Sequence, residues 1–122
     1  MENDNLVMYI VVRSSLNMSS GKIAAQVGHA VGLIYKKSYE NRENLPVKMI
    51  DNFDDWEDSD YRKVVLAADE NEWVKLKSEK NIFIITDLGL TEIPAQSETV
   101  IGFWPMYQST RPKILKRLQL LK

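Results

Sequence analysis

Apolar and polar positions alternate along this chain with two different periods. Leu6–Val12 is a nearly continuous apolar run, rich in β-branched and aromatic residues, and predicts a strand buried on both faces. Val64–Ala68, Ile82–Thr86 and Thr99–Phe103 repeat that pattern as three further strands. Between the first two, Gly21–Lys37 changes to helical period. Ile23, Val27, Ala30, Val31 and Ile34 fall on one arc, a core face. Ser19 or Ser20, at the end of the polar link Arg13–Ser20, suits the N-cap of that helix. Asp69, with Glu72 three residues on, predicts a capping box ahead of a helix over Glu70–Lys80, and Asn81 suits its C-terminal end. Val47–Asp60 mixes apolar residues with acids and predicts a short helix followed by an acidic loop. Asp87–Ser97 is a loop containing Gly89 and Pro94. Pro112 opens a last helix to about Leu121, whose packed face is Ile114, Leu115, Leu118 and Leu121.

Strands alternating with helices predict an α/β fold with a mostly parallel sheet covered on both faces. The 11-residue loop Asp87–Ser97 between the third and fourth strands is short for a helical crossover, so those two are antiparallel or separated. The expectation is one domain over residues 1–122, with a four-stranded mixed sheet and helices on both faces. Ligands in open α/β sheets sit beyond the carboxyl ends of the strands. Here those ends are Arg13–Ser20, Asp69 and Asp87–Thr91.

Two segments carry chemistry. On the first helix, Gln26 and His29 fall at about 40° and about −20° from Lys22 by the helical period. A cation, an amide and an imidazole thus share one stripe beside the core face. The stripe is either an ordinary polar helix face, with Lys22 solvated in the first turn, or one wall of a site. Ala24, Gly28 and Gly32 form a second stripe with almost no side chain. Helix-interior glycine costs about 0.8–1 kcal/mol relative to alanine, so the stripe implies close approach by another backbone or a ligand. In the second segment, Asp87 follows a strand, Gly89 permits a turn with positive φ, and Thr91 brings a hydroxyl near the carboxylate. Asp87 there either closes a local Asx turn or faces a ligand.

Composition narrows the chemistry. Among 122 residues there is no Cys and one His. That excludes a thiol nucleophile, a disulfide framework and any two-histidine metal motif. No phosphate-binding glycine loop or serine nucleophile elbow occurs, and no metal or cofactor is indicated. Trp56, Trp73 and Trp104 read as packing residues rather than base-stacking platforms. The net charge of −1 argues at first against nucleic acid. However, six of the 17 acids lie in Asp51–Asp60, leaving the rest of the chain with 16 bases against 11 acids. On the last helix Lys113, Lys116 and Arg117 are either solvated charges or phosphate contacts. The polar, acidic N-terminus and the shortness of the apolar runs predict a cytoplasmic protein without a membrane span.

The segment Gly21-Lys22-Ile23-Ala24-Ala25-Gln26-Val27-Gly28-His29-Ala30 reproduces a G-K-x-A-A-Q-x-x-H-A motif. Together with Asp87, Gly89 and Thr91 after the third strand, and Tyr9-Ile10-Val11-Val12-Arg13 before the first helix, it resembles the type-2 (archaeal/eukaryotic-type) peptidyl-tRNA hydrolases. The likeness runs from about Val7 to Leu121. The second motif is divergent: Leu90 stands where the family usually has a basic residue and Glu92 where it has Gln. Those two positions make the loop less attractive to phosphate by two charge units.

The resemblance implies cleavage of the ester between peptide and tRNA, with peptidyl-tRNA as the partner, no membrane, and a homodimer left open. It implies that Lys22 stabilises the oxyanion or terminal phosphates, that Asp87 orients or activates water, and that Thr91 bonds that water or Asp87. His29 would position or shuttle protons, and Gln26 and Gly89 would bind substrate. Lys113, Lys116 and Arg117 would contact tRNA. The stripe and the loop should then face each other across one cleft. Two other readings remain: a non-catalytic tRNA- or ribosome-associated module, and a small-ester hydrolase without nucleic acid.

Overall fold

A computed structural model describes residues 4–89 and 92–122. Its first strand, β1 (Leu6–Arg13), occupies the middle of the sheet, as its two-faced burial predicts. It pairs in parallel with β2 (Lys63–Ala68) and antiparallel with β4 (Glu98–Phe103). β3 (Ile82–Thr86) pairs antiparallel with β4 and lies at the sheet edge. Two strands of two residues complete the sheet: β5 (Met106–Tyr107) on β1, and β6 (Gln119–Leu120) on β2. The sheet therefore has six strands in place of the expected four, with one parallel pair among antiparallel ones. The added strands are short because each only completes hydrogen bonding along a neighbour that would otherwise carry free backbone groups.

Helices cover both faces. Alternate residues of β1 divide between two cores. Leu6, Met8, Ile10 and Val12 face a layer made by α1 (Ser20–Tyr39) and α2 (Val47–Asp58). Val7, Tyr9 and Val11 face α3 (Glu70–Leu76) and α4 (Lys113–Arg117). Ala30 and Ile34 of α1 are fully buried, while Ile23, Val27 and Val31 pack at the margin of the same core. Gly102 of β4 lets this helix come close: a Cβ there would lie 3.0 Å from Ile34 Cδ1 and 3.3 Å from Ala30 Cβ. The expected close approach at Gly28 and Gly32 is absent among the described residues, since a side chain there would meet open space.

Three element boundaries differ from expectation. α2 continues through the acidic stretch to Asp58, because Phe53 and Trp56, three residues apart and fully buried, anchor its inner face. Burying each such ring contributes about 1.5–3 kcal/mol, enough to hold a helix whose outer face carries the acids. α3 stops at Leu76 rather than Lys80, since no apolar residue follows Leu76 until Ile82 and Asn81 adopts positive φ. α4 ends at Arg117 rather than Leu121, because Leu118 turns extended and the chain pairs with the edge of β2. The predicted N-terminal caps are present, whereas Asn81 lies four residues beyond the Lys77 C-cap of α3. The Ser19 hydroxyl accepts from the Lys22 amide, and Asp69 and Glu72 form the reciprocal capping box.

Candidate active site

Two elements converge at one end of the sheet. α1 begins at Ser20, one residue beyond its Ser19 cap, so Lys22 and Gln26 lie on its first two turns. β3 ends at Thr86, and the next residue, Asp87, starts the loop that leads to β4. Between them opens a cleft of about 850 Å³, lined among others by Lys22, Gln26, His29, Thr86, Asp87 and Glu92.

Lys22 and Asp87 meet at its floor. Lys22 Nζ donates to Asp87 Oδ1 at 2.5 Å, and their side chains are only 8% and 7% exposed. Lys22 is therefore no solvated first-turn residue. Gln26 Nε2 donates to the same Oδ1 at 3.4 Å. The other carboxylate oxygen, Oδ2, accepts the Gly89 amide at 2.8 Å. Asp87 thus closes its local turn with one oxygen and meets the helix stripe with the other. The Lys22 ammonium holds the Asp87 carboxyl below the usual carboxylate value, helped by the Gly89 amide and opposed by desolvation.

The loop is held by its own backbone. The Asp87 amide donates to Ser97 and its carbonyl accepts from Gln96, each at 2.8 Å. Gly89 has φ +79°, and a Cβ there would fall 2.4 Å from the Cα of Ala95. Only glycine fits this close crossing of two loop strands. Glu92 reaches back to the start of α1, where its carboxylate accepts the Ser19 amide at 2.9 Å and the Ser19 hydroxyl at 2.7 Å. Those two donors, with the nearby charge of Lys22, hold its carboxyl below the ordinary value. An acidic group is thereby built into the cleft wall where the resembled family has a neutral amide.

Thr99 is a site residue that sequence reasoning missed. Its hydroxyl donates to Gln26 Oε1 at 2.5 Å and lies 3.3 Å from the Ile85 carbonyl. Thr99 and Gln26 are both buried, so this bond fixes which way the Gln26 amide points. The one signal in the sequence is a hydroxyl residue opening an otherwise apolar strand. Thr99→Val should leave Gln26 Oε1 buried without a donor, costing about 1–3 kcal/mol in urea unfolding.

The remaining predicted residues divide. His29 is exposed on the cleft wall, one turn beyond Gln26. Thr91 and Leu90 lie outside the described residues. Lys113, Lys116 and Arg117 are exposed on α4, in the helix layer on the other face of the sheet, and do not line the cleft.

Residues 6–121 match the family model described as peptidyl-tRNA hydrolase PTH2. The chain belongs to that family. It is 31% identical to a peptidyl-tRNA hydrolase of Thermoplasma volcanium, with 93% of this chain and 97% of that protein aligned. It is 32% identical to a probable peptidyl-tRNA hydrolase 2 of Drosophila melanogaster and to the mitochondrial peptidyl-tRNA hydrolase 2 of Bos taurus. Each of those alignments takes in 98% of this chain, which spans 63% of the fly protein and 66% of the bovine one. Among the described residues no helix is long and apolar enough to cross a membrane.

Proposed function

We propose that this PTH2-family chain hydrolyses the ester between the peptide and the 3′-terminal ribose of peptidyl-tRNA, at the Lys22–Asp87 pair. The observation that carries this reading is the near-buried ion pair at the floor of an open cleft, with an amide on the same carboxylate oxygen. Ester hydrolysis needs a positioned water, an acceptor for its proton and a donor for the tetrahedral oxyanion. Asp87 is the acceptor, Lys22 the oxyanion donor, and Gln26, fixed by Thr99, holds the ester or ribose oxygen. His29 and Thr91 are assigned to proton positioning, and Gly89 to shaping the loop. Lys113, Lys116 and Arg117 are left to distant phosphates of the tRNA body, since they stand on the opposite layer.

The pair also supplies a sequence of events. While bound to Lys22, Asp87 is a weak base because its carboxyl is held low. As the ester carbonyl enters and the ammonium turns toward the developing oxyanion, the carboxylate loses its cationic partner. Its proton affinity rises as the attacking water must give up a proton. No covalent intermediate is needed, in keeping with a chain that has no cysteine.

Salt separates this function from its competitors. With N-acetyl-aminoacyl-tRNA as substrate, turnover should occur, and kcat/KM should fall as salt rises because phosphate contacts release counterions. Binding without turnover would instead identify a tRNA-binding module. Turnover of simple acyl esters without any salt effect would identify a small-ester hydrolase.

A further inference from the structure

The sheet ends differently on its two sides. Beyond β2 it ends in the two-residue strand β6, whereas on the other side the five-residue strand β3 pairs only with β4 among the described residues. Edge strands in soluble proteins are usually guarded by charge, by proline or by a covering element. β3 reads Ile82-Phe83-Ile84-Ile85-Thr86 and carries neither charge nor proline.

Its backbone polarity can be followed residue by residue. The Ile85 carbonyl faces β4, where the Thr99 hydroxyl lies 3.3 Å away. Asp87 also turns its amide and carbonyl to that side, toward Ser97 and Gln96. In a strand the peptide groups of alternate residues point to opposite sides, so Ile84 and Thr86 turn theirs to the unpaired edge. Ile84, Ile85 and Thr86 also line the cleft that holds Lys22 and Asp87.

We propose that the peptide moiety of the substrate adds to β3 as a further strand, parallel to it, with its esterified carbonyl delivered to Lys22 and Asp87. The direction follows from the fold, since β3 runs toward Asp87 and a parallel peptide ends its own chain there. The C-terminal residue lies at the ion pair, and the residues before it run back past Thr86 to Ile84 at about 3.3 Å each. Recognition by main-chain groups accepts any side chain, which suits a substrate class whose peptide varies in sequence. This inference rests on the peptidyl-tRNA reading of the same cleft and adds how the peptide half is held.

The test compares kcat/KM for N-acetyl-aminoacyl-tRNA, which is too short to reach Ile84, with that for a tetrapeptidyl-tRNA of the same terminal residue. The longer substrate should be favoured by about tenfold, with each main-chain hydrogen bond worth about 2- to 10-fold. N-methylation of one internal amide at a time should remove most of that preference at one position and little at the others. Ile84→Pro deletes one edge-facing N–H at a position where an edge strand tolerates proline. It should lower the tetrapeptidyl-to-acetyl ratio by at least threefold, a ratio that cancels any general loss of folded enzyme. Equal kcat/KM for both lengths, with no N-methyl effect, would overturn the strand-addition model while leaving ester hydrolysis intact. So would a concentration-dependent dimer in sedimentation that Ile84→Pro abolishes, since a second copy would then occupy the edge. Failure of wild type to cleave either tRNA ester would overturn the functional reading itself.

Discussion

Asp87→Asn is expected to reduce kcat for peptidyl-tRNA hydrolysis by about 10²–10⁴-fold, the usual contribution of a positioned general base. The substitution keeps the shape of the side chain, and an Asn oxygen can still accept the Gly89 amide that Oδ2 accepts at 2.8 Å. The turn at positive-φ Gly89 and its contact with Ala95 should survive. What is lost is the charge. Lys22 then faces a neutral amide, and the attacking water has no anionic acceptor. Because the loop stays in place, KM should change far less than kcat. Single-turnover rates at saturating enzyme separate the two, and a variant with normal thermal unfolding and a wild-type rate would remove Asp87 from the mechanism.

Lys22→Ala is expected to act on two observables. The first is rate: loss of one oxyanion donor costs about 10²–10³-fold in kcat. The second is the pH profile. The Lys22 ammonium is the main reason that the Asp87 carboxyl titrates below its ordinary value. In wild type the stabilisation from this pair is therefore present above the ordinary carboxylate pKa, and it is lost as pH falls through the depressed one. With Lys22 removed, the Asp87 pKa rises, so the acid limb of kcat/KM should move to higher pH and the variant should unfold at a less acid pH. A variant whose acid limb stays at the wild-type position would show that the contact seen at 2.5 Å does not control the Asp87 proton.

Much of this site is legible in the sequence, for definite physical reasons. Lys22, Gln26 and His29 share a stripe because a helix of regular period must place them so, and the Ser19 cap fixes where that helix starts. Asp87 was legible because a carboxylate just past a buried strand, followed by glycine, stands where α/β sheets present ligand groups. Thr99 was not, since nothing local decides whether a strand hydroxyl bonds its own backbone or reaches a helix. The bond to Gln26 exists only because α1 packs over β3 and β4. The full extent of α2 is not readable from the sequence, because its acids obscure the spacing of Phe53 and Trp56. β6 was missed because a two-residue strand is set by the open edge of β2 and not by its own side chains. The outward-facing Gly28 and Gly32 belong with these: their helix approaches β4 through Gly102 on its opposite face.

A double-mutant cycle on Lys22 and Asp87 shows whether the two side chains cleave the ester as one unit. Single-turnover hydrolysis of one peptidyl-tRNA would be measured for wild type, Lys22→Ala, Asp87→Asn and the double variant, each confirmed folded. If Lys22 and Asp87 act as one unit, each single variant loses at least a hundredfold and the double loses little more than the worse single. Losses that multiply would show two independent contributions. Wild-type rates in either single variant would contradict the claim that this pair cleaves the ester.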